Sequence, residues 1–571
     1  MSCTQLRSLV VLTLLAVPLL LGAGNVVQAQ TFSVVYNFGS QANDPIQAFY
    51  SGIIAQGRDG NLYSGSYSGG DYGCGAVFKL TPAGALTNLY SFSDGTDGCS
   101  PTGGLTLGVD GNFYGTSYSG GFGGAPYGTV FRITPGDGYT LLYTFTDGKD
   151  GALPTAPPIE GPNGLYGTTC GVCNGTAASS QGSIYKITPS GSTFTFTPLH
   201  TCDGTDCSGI FDPLILGTDG NFYGTSLYGG TIAGSSDGVA FNVTPAGKLT
   251  DLFSFDNTDG ELPAARLVQG TDGNFYGTTL DGGEYGYGVV FKLTHGPKLT
   301  VLHNMNGTSD GSAPYAGLVQ ATDGNFYGAN AYGGTPSANC PGGCGTIFSI
   351  TPSGTFNVIH NFDLTDGELP YSTLFQDTNG LIYGMTQLGG TGDVDPSCNS
   401  NNCGVIYSVN IGAAPFVALV TSSGRVGTKI GILGQNFSSS SVVTFGTAAA
   451  TTVTLSGTTF LTATVPSGAT TGSVTVTTAE GTLNSNQTFR VTPQLKSFTP
   501  SSGPVGTAVT ITGVSLTQTS MLTFGGVAAS FTVDSDTQVT ATVPTGAKTG
   551  KIVITTPGGT ASSATSFTVT Q

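Results

Sequence analysis

Seven times between residues 59 and 384 the chain restates one phrase, Asp-Gly-Asn-aromatic-Tyr-Gly, and a long regular period of that kind dictates an array of like units. Full copies run from Asp110 to Gly115, Asp219 to Gly224, Asp272 to Gly277 and Asp323 to Gly328. Looser ones occupy Asp59 to Ser64, Pro162 to Gly167 and Thr378 to Gly384. The repeated tyrosines, Tyr63, Tyr114, Tyr166, Tyr223, Tyr276, Tyr327 and Tyr383, fall 51 to 57 residues apart.

Each unit holds four short alternating or apolar runs, for example Ala265 to Gly270, Asn274 to Thr279, Gly288 to Leu293 and Lys298 to Met305. Asp-Gly joins the first two, and Thr-Pro-x-Gly, as at Thr81 to Gly84, joins the last two; both are tight-hairpin chemistry. Repeated four-stranded sheets of this length predict the blades of a β-propeller. A ring must also close without a bare edge strand. The seventh unit stops after its third run, Gly404 to Val409, while Phe32 to Phe38 matches the fourth run seen at Leu86 to Phe92. The N-terminal strand is therefore expected to complete the last of seven blades. Pro45 is placed in register with Pro101, Pro154, Pro213, Pro263, Pro314 and Pro370.

Composition agrees: 91 Gly, no Trp and only 9% charged residues among 571 suit short strands and tight turns. A formal charge of −17 repels phosphate backbones, so no nucleic-acid partner is expected. Arg7, the apolar run Leu9 to Leu21 and Val27-Gln28-Ala29 read as a secretory signal over residues 1–29. No later apolar run reaches eighteen residues, so no transmembrane segment is expected.

Through Asp-Gly-Asn-Phe-Tyr-Gly-Thr, Gly-Thr-Val-Phe-x-Ile-Thr-Pro and Leu-x-Ser-Phe, the chain resembles the GloVer-type tandem-repeat extracellular proteins. That resemblance covers about two thirds of the chain and implies architecture and export without implying a reaction. After Ala413, two Val/Thr/Ser-rich segments align: Ser422 to Thr428 with Ser501 to Thr507, Val443 to Gly446 with Leu522 to Gly525, and Ala463 to Pro466 with Ala541 to Pro544. They resemble the IPT/TIG immunoglobulin-like domain, whose opening is best kept in Pro500 to Thr507. The expected organisation is a propeller over 30–412 and sandwiches over 413–492 and 493–571, an all-β chain.

Second-to-third-strand loops and inter-blade loops leave a propeller on one face, which is the expected binding face. All ten cysteines that remain after the leader with Cys3 lie there: Cys74, Cys99, Cys170, Cys173, Cys202, Cys207, Cys340, Cys344, Cys398 and Cys403. Disulfides are expected, with cross-loop pairs such as Cys170 to Cys202 or pairs within each cluster; a zinc site from Cys170, Cys173, Cys202 and Cys207 competes. The pairs Asp94/Asp97, Asp147/Asp150, Asp203/Asp206, Asp256/Asp259 and Asp363/Asp366 leave room for calcium, although Asp near Gly is ordinary turn chemistry. No other cofactor is expected.

His200, His303 and His360 replace a fourth-strand aromatic, Tyr36, Tyr90, Tyr143 or Phe253 elsewhere, and are expected to pack; His295 replaces a hairpin Pro. Tyr72, Tyr127, Tyr285 and Tyr287 lie in the variable loops, where rings can stack on sugars or a protein partner. Acids that break the repeat, Asp281, Glu284, Asp393 and Asp395, are the sole material for catalysis. The expectation is a secreted or cell-surface, non-catalytic recognition, adhesion or scaffold protein binding a glycan or protein, with the sandwiches as spacers. The alternatives are a carbohydrate-active hydrolase or lyase on that face and a structural cell-envelope component. Neither ligand identity nor oligomeric state is legible.

Overall fold

A computed structural model describes residues 30–47, 52–121, 127–171, 181–190, 193–232, 237–296, 298–392, 398 and 403–571. Residues 1–29, read above as a secretory signal and holding Cys3, and also Cys173, Asp393 and Asp395, lie outside the described residues. Among the described residues there is no helix, and residues 31–410 form seven four-stranded antiparallel sheets of propeller type.

One sheet stands for the rest: Val268–Gln269, Phe275–Thr279, Val289–Leu293 and Leu299–Asn304, paired in that order. Its first strand is shorter than expected because the residues leading into it spend their carbonyls on the neighbouring blade. Thr225 Oγ1 donates to the Ala265 carbonyl at 3.2 Å, as Thr278 does to Pro314 at 3.0 Å.

Thr31–Asn37 pairs antiparallel with Val405–Asn410 and so supplies the outer strand of the last sheet. Buried clusters then join neighbouring sheets in pairs around a closed circuit. The final cluster brings Phe38, Met385 and Ile406 of the last sheet against Ile54, Leu62 and Phe78 of the first. Closure thus rests on apolar burial as well as on strand pairing.

The repeated phrase is explained residue by residue. In Asp272 to Gly277, Asp272 Oδ1 accepts from the Asn274 amide (3.1 Å), and Oδ2 accepts from Asn274 Nδ2 (2.7 Å) and the Tyr276 hydroxyl (2.8 Å). Gly273 has φ +83°, a left-handed value that favours glycine. The Tyr276 ring packs on Phe326 of the next sheet at 4.1 Å between centroids, and Tyr223 packs likewise on Phe275. The aromatic pair therefore faces two ways, the Phe receiving the preceding blade and the Tyr meeting the following one. A Cβ on Gly277 would strike the Phe291 ring, which fixes the last position.

The proline register needs two corrections. In most inter-blade loops a left-handed residue, such as Ser100, Leu153, Leu262, Ala313 or Leu369, precedes the proline. The equivalents are Gln47 and Gly209, each of whose amides bonds the carbonyl just before a third-strand glycine, as in the other loops. Pro45 therefore precedes that residue by two positions, and Ile210 rather than Pro213 follows Gly209. Counting from turn motifs alone misplaced them because these two loops differ in length.

Residues from Phe416 onward build two β-sandwiches with separate cores, one around Ile432, Phe445 and Phe489 and one around Ile511, Phe524 and Phe567. Gln518 bridges them, accepting from the Thr471 amide (2.7 Å) and donating to its carbonyl (3.2 Å).

Candidate functional site

Strand order alone separates the two faces. In every four-stranded antiparallel blade, the second-to-third turn and the exit from the fourth strand leave the same edge, while the Asp-Gly turns leave the other. The first sandwich is seated on the Asp-Gly face. Arg58 of the first blade's turn lies over the Phe460 ring at 4.5 Å and receives at its carbonyl a hydrogen bond from Thr459 Oγ1 (2.9 Å). Gln435 Nε2 donates to Thr378 Oγ1 (2.9 Å) in the seventh turn, and Arg490 donates to the Thr218 carbonyl in the fourth. One sandwich thus touches three turns around the ring and leaves the loop face open.

The loops of that open face are held by two devices. The first is covalent: Cys74–Cys99, Cys202–Cys207, Cys340–Cys344 and Cys398–Cys403 are disulfides. Cys170 is also disulfide-bonded, and Cys173 lies outside the described residues. The cross-loop pair Cys170 to Cys202 is not formed, because Cys207 sits five residues from Cys202 at a Cα separation of 5.1 Å. That bond also removes two of the four thiolates a zinc site would need.

The second device recurs in six blades: a fourth-strand donor meets an aspartate in the loop that follows. Tyr36 meets Asp44 (2.8 Å), Tyr90 meets Asp97 (3.0 Å) and Tyr143 meets Asp150 (3.0 Å). His200, His303 and His360 serve in the same place, each Nε2 reaching Asp206, Asp310 or Asp366 within 2.8 Å. The histidines pack as well, His303 flat on Phe356 at 3.9 Å and His360 on Phe32 at 3.8 Å. Packing alone was expected; the hydrogen bond gives the choice of Tyr or His its reason, since both combine a flat ring with a donor. Within the same loops, Asp203 Oδ1 accepts from the Thr205 amide and hydroxyl, and these bonds hold its carboxyl down at about 2. Asp363 and Asp256 accept likewise from Thr365 and Thr258. The repeated aspartates therefore have loop donors of their own.

Tyrosines dominate what this frame presents. Tyr72 is 67% exposed, Tyr285 53% and Tyr287 46%, with Tyr67, Tyr228 and Tyr332 exposed beside other second-to-third turns. Tyr127 differs, being half-buried against the cluster around Phe145. Tyr127 and Tyr287 also fill one repeated position, the residue before the third-strand glycine, which elsewhere holds Cys74, Gln181, Asp237, Cys344 or Cys403. Tyr287 leans on Gly307, so its loop uses one face of that ring. Tyr332, which the sequence reading passed over, bonds the hydroxyl of Tyr371 at 2.9 Å, and Tyr371 meets Tyr315 edge-on at 4.8 Å. Their recurrence after the motif tyrosine was the available signal.

Among the acids, Asp281 and Glu261 face one another across an isolated bridge, amide to carbonyl at 2.8 and 3.1 Å. Partial desolvation raises both carboxyls, and at Glu261 the charges of Asp237 and Asp281 add to it. Glu284 lies next to exposed Tyr285 and pushes that phenol up.

Comparison with known families matches the Gloeobacter/Verrucomicrobia repeat to residues 24–170 and 167–395, and the IPT/TIG domain to 415–491 and 493–569. No curated protein matches the chain. Solved structures include SGBP-B from a complex xyloglucan utilization locus in Bacteroides uniformis, 25% identical over 27% of this chain and 48% of that one, TM-score 0.14. The chain therefore spans about half the length of that protein. A surface glycan-binding protein from Prevotella bryantii is 19% identical over 27% and 39% of the two chains, TM-score 0.21. A gluconolactonase from Xanthomonas campestris is 12% identical over 67% and 89%, TM-score 0.33.

Proposed function

The chain belongs to the Gloeobacter/Verrucomicrobia repeat family and carries two IPT/TIG domains behind its repeats, and from that premise we propose that it is an exported, non-catalytic protein recognising glycans on its propeller loop face. The carrying observation is the pairing of exposed tyrosines with an open, disulfide-braced face: Tyr72, Tyr285, Tyr287, Tyr228 and Tyr332 project where the opposite face is taken by a sandwich. Aromatic rings held on a rigid frame stack on sugar faces at little entropic cost. The disulfides suit an oxidising compartment outside the cytoplasm. The sandwiches space the ring from whatever anchors the chain.

Glycan-array binding of the mature chain, repeated with Tyr72→Ala and Tyr285→Ala, tests this. The expected result is a defined set of polysaccharide signals that weakens about two- to tenfold in the tyrosine variants, consistent with ~0.5–1.5 kcal/mol per aromatic contact. An array without signals, or signals unchanged in both variants, overturns the reading.

A second reading, a carbohydrate-active enzyme on the same face, is favoured by Glu261 and Asp281, two neighbouring carboxyls with raised pKa values. Polysaccharide turnover that disappears in Glu261→Gln would decide for it.

A further inference from the structure

The innermost strands line a half-open cavity of about 360 Å³ on the ring axis. Its floor is the first sandwich, through Leu419, Val420, Leu433 and Asn486. Toward the loop face the inter-blade loops bond one another: Ile53 bridges Gly104, and Thr155 Oγ1 donates to the Phe211 carbonyl.

Two wall residues break the repeat. Four equivalents of Gln56 each spend a side-chain oxygen on the preceding blade's turn: Glu160 accepts from Val109, Gln269 from Thr218, Gln320 from Thr271 and Gln376 from Thr322, all within 3.1 Å. Gln56 instead donates Nε2 to Thr378 Oγ1 (2.7 Å), and its Oε1 is buried without a hydrogen-bond partner. Arg266 occupies a register position held elsewhere by Ile53, Gly104, Pro213, Gly317 or Thr373. Its Nε is buried and unpartnered too. Among the lining residues Arg266 alone is charged. Burial lowers its pKa, and Asp212, whose carboxylate accepts from the Arg266 amide, opposes that.

Orphaned buried groups call for a ligand that completes them. An acceptor such as Gln56 Oε1 requires a donor, which a hydroxyl supplies and a carboxylate does not. A guanidinium fork matches one planar carboxylate, whereas a phosphate dianion would leave charge uncompensated in a wall with no second cation. At ~30 Å³ per water-sized group the cavity holds about twelve, close to the heavy-atom count of a single sugar unit.

We propose that the axial cavity binds a small hydroxylated monocarboxylate of sugar-acid size, its carboxylate on Arg266 and a hydroxyl donating to Gln56. This site is separate from the loop face and independent of what that face binds.

Isothermal titration of the intact mature chain with D-galacturonate and with D-gluconate tests it, D-galactose serving as the uncharged control. One acid is expected to bind with unit stoichiometry, galactose at least tenfold more weakly. Arg266→Met and Gln56→Leu should each weaken acid binding tenfold or more while the melting temperature of the ligand-free chain is kept. Leu419→Trp, which fills the floor from the sandwich side, should abolish it, and Tyr285→Ala should leave it unchanged. Binding of neither acid, equal binding of galactose, or binding unaffected by Arg266→Met overturns the proposal. If the glycan array fails while the acid binds, only the loop-face reading falls.

Discussion

Phe253 stands where six other blades place a tyrosine or histidine donor, and Asp259, the aspartate that donor would reach, has no side-chain hydrogen bond from it. Burial, aided by the nearby charge of Asp256, pushes the Asp259 carboxyl up to about 6. A carboxyl raised in the folded state costs stability when ionised, so this contribution improves as pH falls from 8 through 6 toward 4.

Phe253→Tyr restores the missing donor. The variant should be about 1 kcal/mol more stable at pH 8, a modest figure because the carboxylate is partly solvated. The gain should shrink toward pH 4, where the Asp259 carboxyl is already protonated in the folded chain. Urea unfolding at the two pH values measures it; an equal gain at both would mean the tyrosine acts by packing alone.

Asp377 is 1% exposed and fills a place held by Gly57, Gly108, Gly161, Gly217, Gly270 or Ala321 in the other blades. Burial raises its carboxyl to about 7, and Oδ1 has no hydrogen-bond partner. The same sign applies: the penalty is full above 7, falls away as pH drops, and vanishes below about 4. Asp377→Asn should therefore stabilise the chain by on the order of 1–3 kcal/mol at pH 8 and by nothing at pH 4. A pH-independent difference between the unfolding midpoints would refute the assignment.

Cys74–Cys99 spans 25 residues, whereas Cys202–Cys207 and Cys398–Cys403 each span five. On the loop-closure model the long bridge contributes about 3.5 kcal/mol and a short one about 2. Replacing Cys74 and Cys99 by Ser should lower the urea midpoint more than the same change at Cys202 and Cys207. Peptide mapping without reduction should return the local pairs, and a peptide joining Cys170 to Cys202 would contradict them.

The seat of the first sandwich rests on few side chains. Arg58→Ala with Arg490→Ala removes a cation–ring contact worth ~1 kcal/mol and a hydrogen bond to the fourth turn. The expected outcome is faster proteolysis between residues 411 and 415 and a longer maximum dimension in small-angle scattering, with the propeller transition unmoved. Unchanged proteolysis would show that the backbone contact from Phe416 to Thr378 suffices.

What could be read in advance was whatever each unit settles within itself. Asp272, Asn274 and Tyr276 bond one another over five residues around a left-handed Gly273, so the copies announce the same hairpin, and the strand at Phe32 could be matched to the blade it completes. Contacts set by the third dimension were illegible. Cys202 had three partners at plausible spacing, and nothing local separates Cys207 from Cys170. The oxygen of Gln269 reaches Thr218 fifty-one residues away, a clamp between blades that no turn rule predicts. The exposure of Tyr285 and half-burial of Tyr127 likewise depend on loop walls supplied by other residues.

The strand Thr31–Asn37 finds its partner only at Val405–Asn410, more than 360 residues later. During synthesis it must wait unpaired while everything between is made, so the ring latches last. Such a latch lets a whole unit be gained or lost internally, but losing the seven residues Thr31–Asn37 would unfasten the far end of the ring.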